Sequence, residues 1–161
     1  MPVTEIHKDP STLTMTVIGQ FAAPVERVWA AWADPRQIEK FWGPPQWPAT
    51  FDRHDFTPGG RSAYYMTGPN GEKSRGYWEF VSVNPPHAFE VLDGFAAEDG
   101  TPTTDVPAMR MRMSFAASDG GTRMLAVTTF TSVEAMEQVL SMGMEEGLRA
   151  ALNQMDGLLA A

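Results

Sequence analysis

The chain contains no cysteine, only three histidines, and 12 basic residues against 20 acidic ones. Without cysteine there is no thiol nucleophile, thiolate metal site or disulfide, so the fold must stand on its core alone. The formal charge of −8 at pH 7 repels polyanions and makes nucleic acid and an anionic membrane surface poor partners. No run approaches the ~18 consecutive apolar residues of a membrane span. Met1 to Pro10 lacks the apolar centre of a signal peptide, so a cytoplasmic location is expected. Internal repeats and low-complexity blocks are missing too. What remains is an ordinary globular composition, 161 residues with 43% hydrophobic and 20% charged. That reads as a single domain over 1–161, with a core of about 12–159 and an N-terminal extension at 1–10, forming a monomer or homodimer.

Several chemistries are also missing. His7, His54 and His87 lie in separate segments with no ligand spacing between them. They read as surface or turn residues, His54 as a solvent-facing strand residue, and no metal or cofactor is expected. No glycine-flanked serine elbow occurs, and the glycine pairs at 59–60 and 120–121 fall between strands, where they make hairpin turns rather than phosphate cradles. No catalytic residue is assigned, and whether the chain is an enzyme stays open.

The hydrophobic pattern is informative. Residues 12–21 alternate as a half-buried strand, with Leu13, Met15, Val17 and Phe21 on one side. Pro24 opens a short helix in which Val25, Val28, Trp29 and Trp32 recur at helical spacing. Asp34-Pro35 ends it, and a second short helix over about 36–41 runs into Trp42-Gly43-Pro44-Pro45. Strands are predicted near 49–56, 61–67, 74–83, 88–95, 108–116 and 123–131, separated by turn clusters such as Pro58-Gly59-Gly60 and Asp119-Gly120-Gly121. Short reversals of this kind join antiparallel neighbours. The segment 96–107 reads as an exposed loop able to cover a cavity mouth. Thr131 or Ser132 then caps a helix of about 26 residues carrying the stripe Met136, Leu140, Met144, Leu148, Ala151, Met155 and Leu158. The fold class is α+β: one strongly curved antiparallel sheet of about six or seven strands wrapped around a long C-terminal helix, with two short helices after the first strand.

Five ordered pieces of this chain resemble the START-like, Bet v 1-like helix-grip (SRPBCC) superfamily, and within it proteins similar to the C-terminal domain of the activator of the heat-shock protein 90 ATPase. They are Ala23-Pro24-Val25-Glu26-Arg27-Val28-Trp29 with Trp32-Ala33-Asp34-Pro35, Phe41-Trp42-Gly43-Pro44-Pro45, Pro58-Gly59-Gly60-Arg61, Pro85-Pro86, and Met142-Gly143-Met144-Glu145-Glu146-Gly147. The resemblance implies a sheet gripping the C-terminal helix around a cavity. It also implies an apolar or amphipathic small molecule as ligand, a chaperone as alternative partner, and a metal-free cyclase or hydrolase as a further alternative. Relatives carry a large aromatic after the Gly-Met-Glu-Glu-Gly run, where Leu148 stands here.

Within that architecture the inward register of the strands offers Tyr64, Met66, Phe89, Val91, Asp93, Met111, Met113 and Met124 as cavity residues, facing Met136, Leu140 and Met144 of the helix. Core filling by the eleven methionines and an adaptable ligand wall are both compatible with the pattern. Asp93 stands out, because a carboxylate on an apolar face must be paired, hydrogen-bonded or raised in pKa. The plainer reading of Asp93-Gly94 is a turn at a strand end. The aromatics around the short helices, Trp29, Trp32, Phe41, Trp42 and Trp47, read as core, with a place in the lid or rim of the cavity as the alternative for some of them. Glu145-Glu146 reads as solvated surface.

Overall fold

The computed structural model describes residues 2–160. Eight strands form one open sheet: β1 (Val3–Asp9), β2 (Thr14–Phe21), β3 (Ala49–His54), β4 (Arg61–Thr67), β5 (Lys73–Asn84), β6 (Ala88–Ala96), β7 (Met109–Ser118) and β8 (Gly121–Thr129). Their order across the sheet is β1-β2-β8-β7-β6-β5-β4-β3, and every neighbouring pair is antiparallel. The alternation anticipated in β2 is realised, with Met15, Val17, Gly19 and Phe21 buried and Thr14, Thr16, Ile18 and Gln20 half-buried. In β7, Met109, Met111, Met113 and Phe115 point inward while Arg110 and Arg112 face solvent.

Two short helices follow β2. Helix α1 (Val25–Ala33) starts after Pro24, and α2 (Pro35–Ile38) is capped by the Asp34 carboxylate, which accepts from the Arg36 N–H. After β8 come α3 (Val133–Ser141), α4 (Met144–Asn153) and α5 (Met155–Leu159). Ser132 caps α3 by accepting from the Ala135 N–H, a bond that satisfies one of the donors left free at a helix start. Met136 and Val139 of α3, Leu152 of α4 and Met155 of α5 join the strand residues Met15, Val17, Val91, Met111, Met113 and Met124 in one buried cluster. The helices thus cover the inward face of the sheet, and this encloses the site described below.

Two expectations need correction. The sheet has eight strands, because residues read as an extension before the core form β1, an edge strand on β2. Only Val3 of β1 is buried, so the strand carries almost no apolar alternation. Backbone pairing holds it, together with a bond from the Val3 N–H to Asn153 Oδ1 (3.1 Å) and an ion pair between Lys8 and Glu145. The terminal helix is also not continuous. Gly143 sits at φ +87°, a left-handed conformation that ends α3 and starts α4 on a new course. The apolar stripe survives the break because both pieces keep their faces toward the sheet. The periodicity therefore could not reveal it.

The two glycines of the Gly-Met-Glu-Glu-Gly run should respond oppositely to substitution. A Cβ at either position meets nothing within 4 Å, so only backbone conformation differs. Gly143→Ala should lower stability by about 1 kcal/mol through left-handed strain. Gly147→Ala, inside α4, should raise it by up to about 1 kcal/mol. Urea unfolding midpoints of the two variants check the pair.

Candidate functional site

A cavity of about 280 Å³ lies between the β4–β7 face of the sheet and helices α3 and α4. The sheet contributes Tyr64 and Met66 from β4, Ser74 from β5, Asp93 to Phe95 from β6, and Met109 and Met111 from β7. The helices contribute Val139, Met144, Gly147, Leu148 and Ala151. A third wall is the Trp42-Gly43-Pro44 corner. Gln154 at the end of α4 holds that corner, its amide donating to the Gly43 carbonyl (2.7 Å) and the Phe41 carbonyl (3.3 Å). The cavity is also lined by Met142 and Gly143 at the α3–α4 break, Met142 being 57% exposed. Its volume is close to the lower limit of about 300 Å³ typical of small-molecule sites.

The one charged residue in this lining is Asp93, 9% exposed. It does not cap a turn at a strand end. It lies within β6, cross-strand from Trp78 on β5 and Met109 on β7. One carboxylate oxygen, Oδ1, accepts a 3.3 Å bond from the Tyr64 hydroxyl. Tyr64 is on β4, and β5 lies between it and Asp93. It reaches across because its cross-strand partner on β5 is Gly76. A Cβ at Gly76 would stand 2.5 Å from the Tyr64 hydroxyl oxygen, far inside van der Waals contact. The missing side chain is thus what lets the phenol lie over β5.

Burial dominates the electrostatics of this pair. Desolvation pushes the Asp93 carboxyl up to about 7, against weaker opposing effects from the Tyr64 hydroxyl and the Trp78 indole. The indole N–H of Trp78 is close enough to favour the anion but does not reach hydrogen-bond geometry. Tyr64 is driven well above the usual phenol value by its own burial and by the neighbouring Asp93 charge. Near neutrality the site therefore holds a neutral phenol that donates and a carboxyl that exchanges its proton.

The inward register was read correctly, but it did not separate cavity from core. Tyr64, Met66, Asp93, Met111 and Met144 line the cavity. Phe89, Val91, Met113, Met124 and Met136 are buried in the core away from it, and Leu140 packs half-buried against that core. Alternation along a strand reports which face a residue is on, not how far along the sheet the hollow extends. Beyond Asp93 the same face is plugged by aromatic rings: Phe89 meets Trp29 at a centroid distance of 6.0 Å, Trp32 at 5.7 Å and Phe56 at 4.9 Å. Residues not anticipated include Ser74 and Val139. Of the tryptophans around the short helices, Trp32 and Trp42 are buried in the core, Trp29 packs half-buried against it, and Trp47 is half-buried outside that cluster. Trp42 also takes the alternative role, in the cavity wall. None of residues 96–107 lines the cavity. That loop folds back on itself through an Ala96–Pro102 bridge and a Thr103 N–H to Phe95 carbonyl bond of 2.9 Å.

His54 is a further correction. It is half-buried rather than solvent-facing, with Nε2 2.7 Å from the Trp32 carbonyl and Nδ1 2.7 Å from the Ser62 hydroxyl. A carbonyl only accepts, so Nε2 carries the proton and the neutral ring is fully satisfied. Burial pushes its pKa below the usual imidazole value. It ties β3 to α1 and stands outside the cavity lining. Among the described residues no group of three or more histidine, aspartate or glutamate side chains could hold a metal ion, and no helix is long and apolar enough to cross a membrane.

The Asp93 environment makes stability depend on pH with a definite sign. The native carboxyl binds its proton more tightly than the unfolded one, whose value is near 3.8. Its burial costs nothing extra below that value and destabilises progressively as pH rises through about 7. Asp93→Asn, which stays neutral, should gain on the parent protein by up to about 4 kcal/mol between pH 4 and pH 9. Chemical denaturation at both pH values measures it, and a pH-independent difference would contradict the assignment.

Comparison with known proteins places this architecture. Residues 22–160 match the family model described as activator of Hsp90 ATPase homolog 1-like protein. A crystal structure of a Mycobacterium smegmatis protein is 54% identical, with a TM-score of 0.92 and coverage of 98% of this chain and 97% of that one. A solution structure of an Arthrobacter aurescens protein is 46% identical, with a TM-score of 0.95 and coverage of 98% and 92%. A Silicibacter pomeroyi protein whose name carries the same family label shares the fold at 20% identity, with a TM-score of 0.74 and coverage of 91% and 97%. No curated protein matches the chain. A matched region running from α1 to the last helix, together with two structures superposing over nearly every residue, makes this chain a member of the activator of Hsp90 ATPase homolog 1-like family, within the SRPBCC/Bet v 1-like superfamily.

Proposed function

We propose that this protein binds a small apolar or amphipathic molecule between the sheet and helices α3 and α4. The observation that carries the reading is the cavity of about 280 Å³ with mostly apolar walls and one buried carboxyl directed into it. An apolar pocket with few polar groups removes apolar surface from water and uses those groups to fix orientation. Three methionines on the sheet wall, Met66, Met109 and Met111, face Met144 across the hollow. Unbranched thioether chains repack around irregular shapes at low cost.

A second reading uses the same pair catalytically. A carboxyl that titrates near 7 is poised to take and return a proton at physiological pH, which suits a metal-free cyclisation, dehydration or hydrolysis. Turnover of a candidate substrate, lost in Asp93→Asn with binding retained, separates this from binding alone. Action on a chaperone, which the family's name suggests, is supported by family membership alone. Among the described residues the exposed large hydrophobics, Val81, Val133 and Met142, lie on β5, at the start of α3 and at the α3–α4 break, and do not form one face.

Leu148→Trp places a large ring into the cavity. Compounds that raise the melting temperature of the parent in a thermal-shift screen of small apolar molecules should raise that of Leu148→Trp by less than half as much. Native mass spectrometry of the freshly purified parent should show a bound small molecule that Leu148→Trp lacks. A flat screen together with a ligand-free spectrum would refute the reading.

A further inference from the structure

Asp93 presents its second carboxylate oxygen to the cavity. Oδ1 is engaged by Tyr64, while Oδ2 has no hydrogen-bond partner among the described residues and is not sealed from the hollow. Among the described residues no lysine, arginine or histidine lines the cavity, so no cationic side chain there neutralises a carboxylate. The other polar side chains of the wall carry no charge: the Trp42 indole N–H is buried without a hydrogen-bond partner, and Ser74 and Tyr64 offer neutral hydroxyls. A buried acidic group with one vacant acceptor and no counter-charge is a binding feature of one polarity.

Resting on the ligand-binding reading above, we propose that the occupant is a compact apolar molecule bearing a protonated amine, whose ammonium group donates to the free oxygen of Asp93 while its hydrocarbon part lies against Val139, Leu148 and Ala151. An ammonium supplies both the missing donor and the missing charge, forming the strong, charge-assisted kind of hydrogen bond. A ligand ending in a carboxylate would bring like charge beside Asp93 with no cation to offset it. The whole-chain charge of −8 acts in the same direction, drawing cations toward the protein and repelling anions. The cavity's modest size favours a short chain or a single ring system over a long acyl tail.

Three probes of matched shape test the polarity: octylamine, octan-1-ol and octanoate, titrated calorimetrically below their aggregation limits at pH 8 and moderate salt. Octylamine should bind the parent at least about tenfold more tightly than octan-1-ol, and octanoate more weakly than both. Asp93→Asn keeps the shape and the contact with Tyr64 but removes the charge, and it should bring octylamine and octan-1-ol to within about threefold of each other. Octan-1-ol affinity in that variant reports that the cavity is intact, and Leu148→Trp should weaken binding of octylamine and octan-1-ol alike. An octylamine preference that persists in Asp93→Asn would assign it to the acidic surface and overturn the proposal. So would equal or tighter binding of octan-1-ol or octanoate by the parent, which would leave the binding reading standing. Failure of all three probes to bind would overturn the amine proposal, while the binding reading stands or falls on the thermal-shift screen and native mass spectrum.

Discussion

The site depends on a single hydrogen bond that spans a strand. Asp93 is an acid held in an apolar interior, and the one protein donor that reaches it in hydrogen-bond geometry is the Tyr64 hydroxyl on β4. That contact exists because Gly76, the residue between them on β5, has no side chain. Other features follow from the arrangement. The carboxyl is deprived of water and gains too little in return to remain fully ionised at neutral pH, so its titration moves to about 7. The phenol is kept a neutral donor by its own burial and, after that, by the neighbouring acid. The second carboxylate oxygen is left facing the hollow, which gives an otherwise apolar space one reactive or adhesive point.

The fold was legible because antiparallel sheets and amphipathic helices write their periods into the chain. Turn residues such as Pro58-Gly59-Gly60 and Asp119-Gly120-Gly121 marked the reversals, and the alternation of Met109, Met111, Met113 and Phe115 identified a strand with one buried face. What stayed hidden had no such period. Strand β1 buries only Val3, so its place in the sheet rests on main-chain pairing that a hydrophobic pattern cannot record. The break at Gly143 preserves the helical stripe on both sides, and a glycine inside an apolar repeat reads equally as a close packing contact and as a left-handed stop.

The site was half legible for a related reason. Asp93 could be singled out as an acid on an inward register, but its alternative role as a turn cap could be dismissed only once β6 was seen to continue through Ala96. Tyr64 and Asp93 are 29 residues apart in sequence, and nothing local connects them. The cavity walls contributed by Trp42, Val139 and Leu148 depend on how three elements meet at one end of the sheet. Phe89 and Met113 share a face with Met111 and belong to the solid interior because Trp29 and Trp32 of α1 fill the space over them.

The left-handed link at Gly143 also divides responsibility along the C-terminal segment. Leu152 and Met155 anchor the far end in the core, while Met142, just before the link, is exposed and lines the cavity. Because the chain changes conformation at Gly143, Met142 can be altered at the cavity wall while Leu152 and Met155 keep their seat in the core.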